Sequence, residues 1–126
     1  MSKRKIVFRG KQSDGDWLIA NLWSFAFYVS IDEDTVGEYT GLKDKNGTMI
    51  FEGDVVVQPW SHGAYLYTVK YEYAGFSPFV DEDKAIYPEE CIVLGNIVDN
   101  PELKEMKEGW YDDGQPKMWD MWASLL

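Results

Sequence analysis

The stretch 36–58, VGEYTGLKDKNGTMIFEGDVVVQ, restricts the fold of this chain more than any other part of it. Asn46-Gly47 stands at the centre of the turn 45–48. A two-residue hairpin loop needs positive φ at both central positions, and Asn followed by Gly tolerates that best. Tyr39, Thr40 and Leu42 before it, and Met49, Ile50 and Phe51 after it, suit the two strands of a hairpin. Glu52-Gly53-Asp54 reads as a second turn, with Gly53 in a conformation a side chain would forbid. Val55, Val56 and Val57 follow, a β-branched run that favours a strand over a helix. The stretch therefore predicts strand, tight turn, strand, glycine corner, strand. A glycine–aspartate corner feeding a valine run is, by analogy, a feature of small SH3-like barrels.

The same residues carry a family resemblance. The run 36–47, followed by Phe51-Glu52-Gly53-Asp54-Val55, resembles the core signature of the YopX family, small proteins of phages and prophages. Two further pieces match in the family's order. RKIVFRGK at 4–11 is similar to its N-terminal strand, and LGNIVDNPEL at 94–103 to its closing motif. The resemblance reaches from the N-terminus to about Leu103. It implies a β-rich fold and a phage or prophage origin. It implies no activity, because the family has no assigned reaction to carry over.

A chain of 126 residues suits one domain, and 45% hydrophobic with 16% aromatic residues is enough for a real core. The single cysteine excludes an internal disulfide and fits a reducing compartment. No apolar run is long enough to span a membrane, and no apolar signal core follows the basic start. The expected location is the cytoplasm of the host cell. The net charge is −10, but residues 1–11 contain Lys3, Arg4, Lys5, Arg9 and Lys11 and no acid. Phosphate neutralisation needs a positive footprint, and only this first strand offers one. The acidic remainder argues against nucleic acid as a partner and reads as a solubility device.

Taken in order, 4–11 is a strand, Ser13-Asp14-Gly15-Asp16 a turn, and 17–23 a second strand paired with the first. The aromatic, β-branched run 25–31 is a third strand, and 32–35 an acidic connector. Residues 59–64 read as a loop. Residues 65–73 form the clearest strand, with Tyr65, Tyr67, Val69, Tyr71 and Tyr73 on one face at period two. Phe76 to Val80 returns antiparallel, interrupted by Pro78. Pro88-Glu89-Glu90 forms a helical turn. Residues 91–98 are a buried strand with Gly95 at a bulge. Asn100-Pro101-Glu102 starts a helix that runs to about Glu108 and stops at Gly109. The expected division is a β-rich domain over 1–109 and an aromatic helical tail over 110–126.

On that tail Met118, Trp119, Met121, Trp122, Leu125 and Leu126 make a wide apolar face, with Trp110 just before it. It either packs on its own domain or docks onto another subunit or partner; tryptophan is enriched at interfaces. These seven residues are the candidate interaction surface. The alternative is a nucleic-acid surface made of Lys3, Arg4, Lys5 and the tyrosines Tyr65, Tyr67, Tyr71 and Tyr73, which could stack the bases of a single strand. The same tyrosines can equally form half of a core.

Catalytic constellations are not evident. Ser61-His62 are adjacent in sequence, which supplies neither the reach nor the orienting acid that nucleophilic catalysis needs. One Cys and one His cannot assemble a structural zinc site from this chain alone. The acidic runs 32–34 and 81–83 lack the calcium-loop pattern, and 41–47 lacks the ending of a phosphate loop. The expectation is a mainly β protein, a small SH3-like or partly open barrel with an N-terminal strand pair and short C-terminal helices. It needs no cofactor or metal, is not an enzyme, and works through contacts with its own copies or another protein.

Overall fold

The computed structural model of the protein describes residues 6–21, 30–72 and 74–112. Its strands are β1 (Val7–Lys11), β2 (Trp17–Asn21), β3 (Gly37–Lys43), β4 (Met49–Phe51), β5 (Asp54–Trp60), β6 (Gly63–Thr68), β7 (Lys70–Glu72), β8 (Gly75–Ser77), β9 (Ile92–Asn96) and β10 (Gly109–Asp112). A short helix, α1 (Pro101–Lys104), and two 3-10 turns, Glu33–Thr35 and Pro88–Glu90, complete the described elements. The strands form a sheet of order β2-β1-β3-β4, a second of order β10-β6-β5-β9, and the pair β7-β8. Every pairing is antiparallel. Among the described residues no sheet closes into a barrel.

The valine run explains the centre of the molecule. Val55 and Val57 face a cluster with Ala64, Leu66, Leu94 and Leu103. Val56 faces the opposite cluster, with Ile50, Val69, Phe76, Ile86 and Cys91. A strand buried on both faces reads as a continuous apolar run rather than an alternation. Ile50 comes from β4, so the second cluster also joins the two large sheets. Val7, Tyr39 and Phe51 form a smaller cluster on the first sheet.

The 39–51 hairpin is present, but its turn differs from the expected two-residue loop. β3 and β4 last pair at Lys43 and Met49, leaving 44–48 as the loop. Gly47 has positive φ (+82°), whereas Asn46 does not. Asp44 organises the loop instead: its Oδ1 accepts from the Asn46 and Thr48 N–H groups, both at 2.9 Å. The glycine corner is as expected, with Gly53 at φ +94°. Its N–H donates to the Val69 carbonyl, and its carbonyl accepts from the Ile97 N–H.

Three other expectations are corrected. Residues 59–64 are not a loop: β5 continues through Pro59 to Trp60 and turns at Ser61-His62 into β6. The strand expected over 65–73 breaks at Val69, whose backbone pairs with Gly53 and Asp54. Tyr71 therefore lies on β7, 55% exposed and edge-on to Phe76, not beside Tyr65 and Tyr67. The helix expected to reach Glu108 stops at Lys104, and Gly109–Asp112 pairs with β6 instead. Four cross-strand pairs hold this segment to β6, starting at the glycine where the helix is expected to stop. The β1–β2 pairing, the Pro88–Glu90 turn and an irregularity beside Gly95 agree with expectation. The third strand over 25–31, apart from Ser30 and Ile31, lies outside the described residues, as do Lys3, Arg4, Lys5, Tyr73, Met118, Trp119, Met121, Trp122, Leu125 and Leu126.

The polar cross-links between sheets use two of the bases near the N-terminus. Arg9 points to the same side of β1 as Val7, since side chains alternate along a strand. Its guanidinium lies between the rings of Trp17 and Phe51, 4.8 Å from each centroid. Its Nη2 donates to Asp54 Oδ1 at 2.6 Å, and Asp54 Oδ2 accepts from the Phe51 N–H at 2.7 Å. Lys11 pairs with Asp99 at 2.8 Å, and the Trp17 indole N–H donates to the same carboxylate. Partial burial pushes Asp99 up, but the bonds from Lys11, Trp17 and Asn96 outweigh it and hold the carboxyl below its ordinary range.

Candidate interaction face

The second large sheet presents one face whose character changes along its length. On β5 the residues Val56, Gln58 and Trp60 point to it; opposite them on β6 stand Tyr67, Tyr65 and Gly63. β10 adds Trp110 beside Tyr65. Val56 is core. Gln58 is buried but satisfied, its Oε1 accepting from the Tyr87 N–H at 2.8 Å and its Nε2 donating to the Ala85 carbonyl at 3.3 Å. Beyond Gln58 the face opens: Trp60 is 54% and Trp110 43% exposed.

The rings at this open end are packed on each other. Tyr65 and Trp110 meet edge to face with centroids 5.0 Å apart, Trp60 and Tyr65 at 6.5 Å, and Tyr65 stacks on Tyr67 at 6.3 Å. Such pairs prefer offset or T-shaped geometry and contribute about 0.5–1.5 kcal/mol each beyond burial. The Lys84 ammonium lies 5.0 Å over the Tyr67 ring. Burial first, then the charges of Tyr65, Glu108 and Asp81, push the Tyr67 hydroxyl above its ordinary pKa.

Gly63 makes the arrangement possible. A Cβ there would run into the Tyr111 carbonyl and the Trp110 ring. Gly63→Ala is expected to displace the indole and loosen β10, costing about 1–3 kcal/mol as overpacking does. Tryptophan emission and urea melts check this; a variant with native emission and midpoint would show that β10 is not seated against Gly63.

Trp60 also walls a shallow hollow of about 370 Å³ with Pro59, Lys45, Glu89 and Glu90. Beneath the Pro88–Glu90 turn, Cys91 is fully buried. Burial, followed by the charges of Glu90, Asp44 and Glu89, pushes its thiol up to about 12. It packs in the core with Ile50, Val56, Val69, Phe76 and Ile86.

Of the residues singled out from sequence, the structure brings together Trp110, Tyr65 and Tyr67, which the sequence alone places on two different surfaces. Trp60 was missed, because Pro59 disguised the end of β5 as a loop. His62 sits exposed at the β5–β6 turn. Asp32 caps the Glu33–Thr35 turn, and Asp81 accepts from the Asp83 N–H and pairs with Lys84. Among the described residues no three His, Cys, Asp or Glu side chains are grouped to hold a metal ion. No helix among them is long and apolar enough to cross a membrane.

The fold and this face define a mainly antiparallel β protein with an aromatic patch at one sheet end. The chain belongs to the YopX family: the family model described as YopX protein matches residues 6–105. No curated protein matches it. Among solved structures it is similar to protein EF1440 from Enterococcus faecalis, at 30% identity over 78% of this chain and 75% of that one, with a TM-score of 0.44.

Proposed function

We propose that this protein is a phage or prophage accessory factor, acting in the host cytoplasm by binding polypeptides rather than by catalysis. The observation that carries this reading is the Trp60–Tyr65–Trp110 cluster, whose rings are ordered by mutual packing while both indoles stay exposed. Aromatic residues held in that way are what interface centres are made of. Family membership supports the phage or prophage origin, through the character of the proteins the chain resembles. Self-association is the first contact to test. Light scattering across a concentration series is expected to show a mass above the monomer that falls in Trp60→Ala/Trp110→Ala. A native chain and variant of identical mass at every concentration would count against self-association through this face.

The nucleic-acid alternative loses part of its footing. Two of the five bases in residues 1–11, Arg9 and Lys11, are engaged by Asp54 and Asp99. Tyr71 lies on a different sheet from Tyr65 and Tyr67.

A further inference from the structure

We infer that the hollow beside Trp60 takes an arginine side chain from a basic segment of a partner protein. This rests on the reading of the aromatic face as a contact surface and names the chemistry of what it contacts.

The hollow joins two kinds of wall. One is apolar and stiff: Pro59, and the indole of Trp60, which is 54% exposed. Trp60 meets Tyr65 edge to face, and Tyr65 meets Trp110 in the same way. The other wall is the Pro88–Glu90 turn, which presents Glu89 and Glu90 to solvent. Neither carboxylate has an ion-pair partner among the described residues. Lys45 is the one base on the rim, so the carboxylates outnumber it. Asp44, next to Lys45 in the chain, is buried and carries a further carboxylate near this turn.

A guanidinium meets both walls at once. Its flat face stacks on an indole, while its edge donates to carboxylates in a fork that a lysine ammonium cannot reproduce. A phosphate or nucleic-acid backbone would be repelled by the same rim. An apolar partner segment would leave Glu89 and Glu90 desolvated without a counter-charge. The chain's charge of −10 favours a basic partner at long range as well.

The test uses the full chain and an acetylated, amidated peptide of alternating arginine and glycine. A citrulline version, neutral but of the same shape, is the control. Titration calorimetry at low salt is expected to show binding to the arginine peptide, at least about tenfold weaker binding to the citrulline peptide, and weakening by added NaCl. Trp60→Ala is expected to weaken binding about tenfold. Glu89→Gln/Glu90→Gln is expected to weaken it similarly and flatten the salt dependence. All of these residues are exposed, so native melting curves for the variants are part of the expected result. Equal binding of both peptides, or binding indifferent to Trp60 and to the two glutamates, overturns the inference. Lack of peptide binding also overturns it. If the light-scattering mass still responds to Trp60→Ala/Trp110→Ala, the reading of this face as a contact surface survives that failure; if it does not, self-association through this face falls with the inference.

Discussion

Asp54→Ala is expected to destabilise the protein by about 3–5 kcal/mol, the loss typical of removing one member of a buried ion pair. Asp54 is 1% exposed and holds Arg9 at 2.6 Å. Without it the guanidinium stays between Trp17 and Phe51 with no counter-charge, and its Nε already has no partner. The Phe51 N–H loses its acceptor too. The pair also carries a desolvation cost that offsets its attraction. Burial first, with a smaller push from the Asp44 charge, raises the Asp54 carboxyl although Arg9 and the Phe51 N–H lower it. Desolvation is thus the largest single influence on this carboxyl, as it often is for buried pairs. A raised carboxyl contributes most below its ordinary pKa of about 4, and that contribution is lost as pH rises through the folded value. Asp99, with a lowered pKa, has the opposite sign: its contribution is present above about pH 4 and lost as pH falls through its folded value. It follows that Arg9→Met/Asp54→Leu is expected to recover most of the single-variant loss. Urea unfolding of the two singles and the double closes the cycle. A double variant as unstable as the sum of the singles would sink the argument.

The parts of this molecule written in local backbone chemistry were legible in advance. Gly53 is at positive φ where Glu52-Gly53-Asp54 demanded a corner, and the β-branched Val55–Val57 run is a strand, though its burial on both faces shows only in the structure. Arg9 shows what was not legible. In sequence it belongs with the basic residues near the N-terminus, yet its partner lies 45 residues away and only the packing of two sheets brings them together. Tyr71 continued the alternation of Tyr65 and Tyr67, but a period-two pattern cannot reveal that Val69 turns its backbone toward Gly53 and Asp54. Trp60 was hidden by Pro59, which usually ends a strand and here sits within one. The open face is therefore half visible in the sequence: Tyr65 and Trp110 stand out, but for separate roles, and their meeting depends on Gly109–Asp112 pairing with β6, which no local signal there announces.

Asp44→Ala is expected to cost about 4–5 kcal/mol, the second large effect, summing three lost charge-assisted hydrogen bonds at the low end of their range, about 1.5 kcal/mol each. Asp44 is 6% exposed, and its two oxygens serve different elements. Oδ1 closes the 44–48 loop through the Asn46 and Thr48 N–H groups, while Oδ2 accepts from the Val93 N–H of β9 at 2.9 Å. The neighbouring Lys45 N–H adds a bond to the Cys91 carbonyl at 2.8 Å. One carboxylate thus shapes a hairpin of the first sheet and attaches it to the edge of the second. Asp44→Asn separates the two jobs. An amide keeps one acceptor oxygen and sets a donor against the other N–H, so about half of the loss is expected. The position of the damage is the sharper readout. If the amide oxygen stays with the turn, hydrogen exchange is expected to accelerate at the Val93 amide and leave Asn46 and Thr48 near native. If it stays with β9, the pattern reverses. Native stability in Asp44→Asn, with all three amides protected as before, would mean that the carboxylate's charge and second oxygen are not what join the sheets.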